Sequence, residues 1–477
     1  MKKRLIVASM MFVVAALAGE FKAGFARMDI TPPMGTPLAG YYSYRASDGV
    51  LDPLEATCVA VSDGTRTALL VTIDHLHLAN TLYDAARTAA AKAANVPPEA
   101  VYIAATHTHL GPVGGLPRYL DDKSAEERAR VKALIDAANA KIVDQIAAAG
   151  KAAVSDLTSA EIRLATGSCS GVSFIRRYRM KDGSARTNPG TTNPDILHPI
   201  GTPDDTVQLV RFVREGKPDI AVVNFQTHPD TIGGTKCSAD WPGVLRRTVE
   251  KALDGEALVA FFNGAQGDTN HCVYPADSLP PQKKGYSRAV NMGRKLAGTV
   301  LGLWGYTWPA ESGNVAFKIA TVQIPAKPVD PAKLDHYRKV RDLHLQGRRK
   351  ELVELCGPGM EVTTAVAEAL NCLGLAKGKT TSFEMPVSCV TIGHTIAFGG
   401  FPGEPFTQLG RTLKEKSKFK MTIPTCTTNG SFGYLPEESA YAEGGYEQRS
   451  SRYASGVGER LVQGLLATLD ELWASSF

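Results

Sequence analysis

The stretch Val101-Tyr-Ile-Ala-Ala-Thr-His-Thr-His-Leu-Gly-Pro112 joins a short apolar segment to two histidines. An apolar run of this length is typical of a strand buried in a sheet. His107 and His109 follow where that strand would end, and loops held by a rigid sheet are the usual carriers of chemistry. We therefore interpret the stretch as a core strand that delivers two imidazoles to a site. A hydrogen-bonded histidine pair with no further role is the alternative.

Two later segments each add one residue of the same chemical kind. They are Asn224-Phe-Gln-Thr-His-Pro229, with His228, and Phe401-Pro-Gly-Glu404. Imidazole and carboxylate both suit zinc, and three protein ligands with an open position are typical of a catalytic zinc site. Each residue alone has an ordinary structural explanation, so the prediction depends on their combination. A site built from such distant segments also predicts one large domain.

Strand and helix signals alternate along the chain, which predicts an α/β fold with a mixed β-sheet core flanked by helices. Apolar runs predict strands at Thr67–Ile73, Val101–Ala105, Val207–Val213, Ile220–Asn224, Ala257–Phe262, Val315–Ile324 and Cys389–Phe398. Apolar spacing and composition predict helices at Tyr83–Ala94, Ser124–Ala149, Tyr286–Leu303 and Ala332–Cys356.

The N-terminus has the pattern of a secretory signal peptide. A basic start, Met1-Lys-Lys-Arg4, precedes the apolar run Leu5–Leu17, and Ala16-Leu-Ala18 offers a small-residue cleavage site. We predict a signal peptide over 1–18, a mature domain over 19–477, and a secreted or periplasmic protein. An uncleaved anchor is the alternative. No later apolar run approaches the roughly twenty residues of a transmembrane helix.

Composition and cysteine spacing narrow the function classes. The net charge is +5 over 477 residues, and no basic block alternates with aromatic residues, so we expect no nucleic-acid partner. None of the eight cysteines has zinc-binding spacing. Cys356 and Cys372 flank a Gly-Pro-Gly turn and form the first candidate disulfide for an oxidising compartment. Buried free cysteines are an equal alternative.

Taken in order, the motifs of this chain resemble those of the catalytic domain of the neutral ceramidases. The resemblance covers most of the mature chain and includes the two histidine motifs and the Phe-Pro-Gly-Glu motif. Its other parts are Ala23–Pro33, Pro37–Tyr41, Gly264–Asp268, Gly433–Tyr441 and Gly445–Glu447.

This resemblance implies an amidase with one catalytic zinc ion. It implies zinc ligands at His107, His228, Glu404 and Tyr441. His109 resembles a histidine beside the substrate amide, and Tyr453 a tyrosine that contacts the developing oxyanion. An arginine is expected with Tyr453; Arg176 is preferred, and Arg177 stays open.

The sequence departs from the ceramidase pattern in two places. Asn270 stands where the family has a serine with an assigned catalytic role, and asparagine cannot be an acyl-accepting nucleophile. Asn270 could still donate a hydrogen bond to substrate. The immunoglobulin-like C-terminal domain of the ceramidases has no counterpart before Phe477. Both departures bear on the substrate more than on the chemistry.

We therefore predict an exported zinc-dependent hydrolase that cleaves an N-acyl bond of a small-molecule substrate. A sphingolipid such as ceramide is one candidate. If the basic segment Arg176–Pro194 lines the site, a sugar-like or anionic substrate fits better. The alternatives are a zinc esterase or lactonase, and a non-catalytic extracellular metal-containing binding protein. The oligomeric state, and whether a second structural cation is present, stay open.

Overall fold

The computed structural model describes residues 20–41, 43–115, 123–274 and 284–475. The predicted signal peptide therefore lies outside the described residues. The strands of the described part are β1 (Lys22–Asp29), β2 (Gly49–Val50), β3 (Glu55–Ser62), β4 (Thr67–Ile73), β5 (Val101–Ala105), β6 (Thr158–Ser168), β7 (Phe174–Ile175), β8 (Arg177–Met180), β9 (Ala185–Thr187), β10 (Ile196–Pro199), β11 (Thr206–Arg214), β12 (Asp219–Phe225), β13 (Lys236–Cys237), β14 (Ala257–Asn263), β15 (Thr269–Asn270), β16 (Trp308–Ala310), β17 (Val315–Pro325), β18 (Ser382–Ile392), β19 (Ile396–Gly400), β20 (Glu404–Pro405), β21 (Met421–Thr425) and β22 (Tyr434–Leu435). Its α-helices are α1 (Asn80–Ala94), α2 (Ala125–Ser155), α3 (Asp240–Ala252), α4 (Tyr286–Trp304), α5 (Leu334–Leu345), α6 (Arg349–Cys356), α7 (Met360–Gly378), α8 (Thr407–Lys416), α9 (Ser439–Glu443), α10 (Tyr446–Ser450) and α11 (Val457–Ala474).

Two β-sheets stack between two layers of helices. The main sheet runs β14-β12-β11-β6-β1-β3-β4-β5, with β16 added beside β6, and it is mixed because β12–β14 and β4–β5 are parallel pairs. The second sheet runs β17-β18-β19-β21. Alternate side chains of a strand point to opposite faces. Accordingly, Leu69 and Val71 pack with helices α1–α4, and Leu70 packs between the sheets.

The second sheet is covered on its outer face by α8 and α11, whose leucines pack on Val387 and Cys389 of β18. The predicted mixed α/β architecture with flanking helices is confirmed. The stacking explains why β4, β5, β12 and β14 have near-continuous apolar sequences, since both faces of each strand are buried.

Two predicted elements were wrong in extent because a glycine interrupts each of them. The predicted strand Cys389–Phe398 is a hairpin of β18 and β19, turned at Gly393 with φ of +52°. The predicted helix Ala332–Cys356 is two helices, α5 and α6, separated at Gly347 with φ of +66°. Positive φ suits glycine because it has no Cβ.

The candidate disulfide between Cys356 and Cys372 is absent; all eight cysteines lie in the described residues, and no two of them form a disulfide. Cys356 is the last residue of α6 and is partly exposed, whereas Cys372 is buried in α7. Cys372 lies twelve residues after the first residue of α7. At 1.5 Å per residue the helix has by then risen about 18 Å, although both cysteines contact the same small apolar core.

Helices α5–α7 form an insertion between β17 and β18 with a small apolar core of their own. We call this insertion the cap. None of the helices in the described ranges combines the length and apolar character needed to cross a membrane.

Candidate active site

Three predicted ligand residues converge on one point. Nε2 of His107 lies 3.2 Å from Oε2 of Glu404, and Nε2 of His228 lies 3.3 Å from the same oxygen. The two imidazole rings are 4.9 Å apart and nearly perpendicular. All three side chains are almost wholly buried. We call these three residues the cluster.

The fold brings the cluster together at the carboxyl ends of strands. His107 follows β5, His228 follows β12, and Glu404 begins β20. Strands β5 and β14 are the two edges of the main sheet, and their ends approach each other because Asn263 Nδ2 donates a 3.0 Å hydrogen bond to the Thr106 carbonyl. Glu404 arrives from the second sheet. The cluster therefore sits where the two sheets and both edges meet.

Backbone contacts fix which nitrogen of each imidazole faces Glu404. Nδ1 of His107 is 2.9 Å from the Leu76 carbonyl, and Nδ1 of His228 is 2.9 Å from the Gln266 carbonyl. A carbonyl can only accept, so both Nδ1 atoms carry protons. In the neutral rings both Nε2 atoms therefore present lone pairs toward Glu404. His107 also adopts a φ of +72°, which is uncommon for a residue with a Cβ and is concentrated at functional sites.

This donor set fits a divalent metal. Two neutral imidazole nitrogens and a carboxylate oxygen, all electron-pair donors, crowd together in a buried place, and Nδ1–H bonds to carbonyls are the usual support of metal-binding histidines. The rings of His107, His109 and His228 form a second possible ligand group, with ligand atoms within 4.8 Å of one another. A metal can therefore be held here by two histidines and Glu404 or by three histidines.

The pKa shifts of His228 and Glu404 agree with this donor set. Burial and the nearby Arg176 lower the pKa of His228 to about 4. Burial opposes ionisation of Glu404, but the two imidazoles outweigh it and hold the pKa of Glu404 well below its usual value. At neutral pH the ionised Glu404 carboxylate therefore faces the neutral ring of His228.

The imidazole ring of His109 lies against the cluster. Its ring is 5.3 Å from the ring of His107 and 5.7 Å from that of His228. Neither nitrogen has a hydrogen-bond partner among the described residues, although both are buried. Burial lowers the pKa of His109 well below its usual value. A buried imidazole without a partner costs free energy unless a ligand completes it.

The early motif Pro37–Tyr41 supports this histidine. A bridge joins Leu38 to Pro112, and Gly40 has a φ of +98°. A Cβ on Gly40 would lie 2.6 Å from the ring of His109, closer than any real contact. The edge of Tyr41 packs on the same ring at 5.5 Å. Only glycine therefore allows His109 to occupy this position.

The structure places Arg176 at the cluster and Arg177 away from it. Arg176 Nε donates to Glu447, and Nη2 donates to the Gly267 carbonyl and to the Tyr434 hydroxyl. Its remaining nitrogen, Nη1, lies 3.2 Å from His228 Nε2. Arg177 instead binds Glu443 and the Gly444 carbonyl.

Tyr441 and Tyr453 are not brought to the cluster, and the structure contradicts the placement that was expected for them. The Tyr441 hydroxyl donates a 2.9 Å hydrogen bond to the Tyr453 carbonyl, and the Tyr453 hydroxyl donates to the Phe432 carbonyl. Both tyrosines pack in the core beneath the second sheet. Each hydroxyl is therefore committed to the backbone.

Two other tyrosines occupy the site, and the sequence reasoning missed them. Tyr434 pairs with Glu404 across β20 and β22, and its hydroxyl accepts from Arg176 at 3.0 Å. The ring of Tyr446 is 5.3 Å from that of Tyr434. Tyr434 and Tyr446 are separated by twelve residues, the same spacing as Tyr441 and Tyr453. Both pairs therefore fit the same motif, and spacing alone could not separate them.

Asn270 lies behind the site wall and does not face the cluster. Its Nδ2 donates to Asn188 Oδ1 at 2.6 Å, and its Oδ1 accepts from the Cys272 amide at 2.9 Å. Asn188, in contrast, lines the cavity. The expected hydrogen bond from Asn270 to substrate is therefore already used within the protein.

The Gly264–Asp268 motif is a scaffold. Its Gln266 and Gly267 carbonyls hold His228 and Arg176. Asp268 accepts from the amide and hydroxyl of Thr407 at the start of α8. A Cβ on Gly267 would lie 2.5 Å from the Glu404 carbonyl. The missing side chain at Gly267 therefore allows the backbone of Glu404 to pack closely against this turn.

A buried ion pair flanks the site. His271 Nδ1 lies 2.9 Å from Asp230 Oδ1. Burial disfavours a charged His271, but Asp230 outweighs it and raises the pKa of His271 to about 10. Asp230 also lines the cavity beside His109. Asp230 is therefore a carboxylate next to His109, and the positive charge of His271 balances it.

The cavity consists of two adjoining chambers that share Tyr41, His109, Tyr434 and Tyr446. The cap chamber has a volume of about 310 Å³ and extends from Arg176 and Asp230 to the cap residues Met360 and Val366. The cluster chamber has a volume of about 400 Å³ and contains the residues His77, His107, Asn371, Glu404, Ser431 and Arg452. Only Arg176 and Asn188 of the segment Arg176–Pro194 line either chamber.

Comparison with known proteins agrees with this architecture. No family model matches the chain, and no curated protein matches it. Among solved structures, the neutral ceramidase from Pseudomonas aeruginosa is similar, with a TM-score of 0.69 and 17% identity over 96% of this chain and 75% of that chain. A structure described as ceramidase complexed with C2 has a TM-score of 0.67 and 17% identity, covering 95% of this chain and 76% of that chain.

The structural neighbours are thus neutral ceramidases, and this chain has their fold across nearly its whole described length. At 17% identity the likeness establishes the fold.

Proposed function

We propose that the protein is a zinc-dependent hydrolase that cleaves amide bonds of N-acyl substrates. The observation that carries this proposal is the approach of His107, His228 and Glu404 to within 3.2–3.3 Å, with both Nδ1 atoms committed to backbone carbonyls. The neutral-ceramidase fold supports it.

His107, His228 and Glu404 would hold the zinc ion. When bound, zinc lowers the pKa of a coordinated water and polarises a carbonyl. This ligand set leaves His109 for proton transfer. The set of three histidines would instead use His109 as a ligand, and the two sets predict different effects of mutating it.

His109 is placed to move a proton. It is neutral at pH 7 because burial lowers its pKa, so it can accept a proton. Asp230, in the same chamber, favours the protonated ring that results. A base that takes a proton from water and returns it to the leaving amine serves both halves of amide hydrolysis.

Arg176 and the two site tyrosines would stabilise negative charge that develops on the carbonyl oxygen. Glu447, Gly267 and Tyr434 fix the guanidinium, so little reorganisation is needed when charge appears. Burial raises the pKa of Tyr434 well above its usual value, which keeps its hydroxyl proton in place for donation.

Hydrolysis of matched amides and esters tests this proposal. The purified protein is assayed with and without chelator on short- and long-chain N-acyl sphingosines, N-acylated sugars, and esters of the same acyl chains. Chelator-sensitive release of fatty acid from amides is expected. Release from esters alone would identify an esterase, and a folded zinc-loaded protein that cleaves neither would contradict the proposal.

We further propose that the protein is exported after cleavage near Ala18. The basic start and apolar run of the N-terminal sequence support this. Mass spectrometry of the protein from culture medium or periplasm should find an N-terminus at Gly19. A full-length N-terminus on protein recovered only from the cytosol would contradict export.

A further inference from the structure

The cluster chamber contains an arginine that the proposed chemistry does not use. Arg452 lies in the segment between α10 and α11 and lines this chamber together with His107 and Glu404. It is half-buried. Its neighbours on the chamber wall include the polar side chains of Asn371 and Ser431.

Two aromatic residues hold the guanidinium in place. Nη2 of Arg452 donates a 3.2 Å hydrogen bond to the Tyr453 hydroxyl, whose own proton goes to the Phe432 carbonyl. The guanidinium also stacks 5.3 Å from the centroid of the Phe383 ring. Tyr453 is therefore a positioning residue for Arg452, and the guanidinium keeps further N–H groups for a ligand.

No carboxylate of the described part of the chain pairs with Arg452, whereas the buried Arg176 pairs with Glu447. Glu404 is the one acidic side chain among the described residues of the chamber wall, and its charge already faces His107 and His228. The positive charge of Arg452 thus has no fixed counterion. A half-buried guanidinium in this situation favours an anionic ligand, and its planar fork matches a carboxylate.

We propose that Arg452 binds a carboxylate carried by the substrate, so that the enzyme acts on anionic N-acyl compounds. This inference rests on the proposed function and names its substrate class. The two chambers meet at His109 and Tyr434, which places the scissile bond between them. The part of the substrate that enters the cluster chamber then carries the anion.

Two substrate pairs test the inference from either side of the amide. N-hexanoylglycine and neutral N-hexanoylglycinamide differ on the amine side, and N-hexylsuccinamic acid and neutral N-hexylsuccinamide differ on the acyl side. The wild-type protein should prefer the anionic member of at least one pair by about tenfold or more in kcat/KM, mainly through KM, as expected for a charge-assisted hydrogen bond.

Arg452→Gln should abolish that preference, and Arg452→Lys should restore part of it. Tyr453→Phe should weaken it, because the guanidinium loses the hydroxyl that positions it. Arg348→Gln is the matched control, since Arg348 is exposed and pairs with Glu351 on the cap. The wild-type preference should persist in this control.

A wild-type protein without any anion preference, or one whose preference survives in Arg452→Gln, would overturn the inference. Calorimetric binding of N-hexanoylglycine and N-hexylsuccinamic acid, each against its neutral partner, separates this result from failure of the proposed function. Arg452-dependent binding of an anion without hydrolysis would refute the hydrolase and retain the anion site. Hydrolysis of both members of each pair at equal rates would retain the hydrolase and refute the anion site.

Discussion

At the residue scale, backbone carbonyl groups determine which imidazole nitrogens of the cluster can bind a metal. Carbonyl oxygens occupy Nδ1 of His107 and of His228, so each ring can use only Nε2. The nearest group on that side is the Glu404 carboxylate. Two imidazole Nε2 atoms and a carboxylate oxygen make an incomplete arrangement that a cation completes.

His228→Ala should lose stoichiometric zinc, because it removes one of the three donors. His198→Ala is the matched control, as His198 is exposed on β10 and its Nδ1 contacts the neighbouring Pro199 carbonyl. Metal content per folded chain is the measurement. Full zinc retention in folded His228→Ala would remove this residue from the ligands.

His109→Ala separates the two ligand sets. With two histidines and Glu404 as ligands, the variant should keep its zinc and lose activity by roughly 10²–10⁴-fold, the usual contribution of a general acid–base. Metal loss equal to that of His228→Ala would instead show that three histidines bind the metal.

Gly40→Ala should impair catalysis because its new Cβ would lie 2.6 Å from the His109 ring. Gly201→Ala is the control: Gly201 has a φ of +97° and nothing near its Cβ position. Both variants should lose about 1–2 kcal/mol of stability from the strained backbone. Only Gly40→Ala should also lower kcat. Equal kcat in the two folded variants would contradict the role of Gly40.

Tyr434→Phe should lower kcat by about 10²-fold, the lower end of the effect of losing one donor to a developing oxyanion. Tyr441→Phe removes the corresponding hydroxyl of a tyrosine that bonds to the backbone, so its kcat should stay near that of the wild type. A larger kcat effect in Tyr441→Phe would restore the assignment that the motif alone suggested.

At the element scale, Asp156 joins helix α2 to two parts of the main sheet. It ends α2, accepts the Phe25 amide of β1 at 2.9 Å, and pairs with Arg214 and Lys217 of the β11–β12 hairpin. Burial opposes its charge, but Lys217, the Phe25 amide and Arg214 outweigh it and lower the pKa of Asp156. The carboxylate is therefore more stable in the folded chain than in the unfolded chain.

Asp156→Asn should cost about 1–2 kcal/mol at pH 7, since partial exposure weakens these ion pairs. A depressed folded pKa gives stability that is present above the unfolded value of about 3.8 and is lost as pH falls through the folded pKa. The difference from wild type in urea unfolding should therefore shrink below about pH 4. Asp144→Asn on the same helix is the control, and a pH-independent difference would contradict the assignment.

The elements were predictable where burial alone decides them. Apolar runs located β4, β5, β12 and β14 to within a residue at each end, because both faces of these strands are covered. The hairpin at Gly393 and the break at Gly347 were missed, since apolar residues stand on both sides of each glycine (Ile392 and Ile396, Leu345 and Leu352).

The site was predictable in its residue types but only in part in its geometry. Histidines directly after apolar strands pointed to the cluster. The choice between Tyr434 and Tyr441 depended on the pairing of β20 with β22, a contact over thirty positions that no local pattern encodes. Arg452 had no sequence signal, because its chamber is formed by residues that are far apart in the chain, such as His107, Asn371 and Glu404.

At the scale of the whole molecule, the ligand residues and part of the cavity wall come from different parts of the fold. The two stacked sheets supply His107, His228 and Glu404, whereas the cap between β17 and β18 supplies Met360, Val366 and Asn371 to the chambers. A change in the cap can therefore alter the substrate without disturbing the cluster. This arrangement explains how a neutral-ceramidase fold could serve a more polar substrate.

The most direct test of the zinc-dependent hydrolase is activity as a function of zinc occupancy. Protein stripped by chelator is titrated with zinc while fatty-acid release from an N-acyl substrate and bound metal are measured together. We predict no release from the stripped protein and a rate that rises in proportion to occupancy up to one ion per chain. Undiminished release from stripped protein would contradict the account, as would a fully loaded protein that cleaves no substrate in the amide panel.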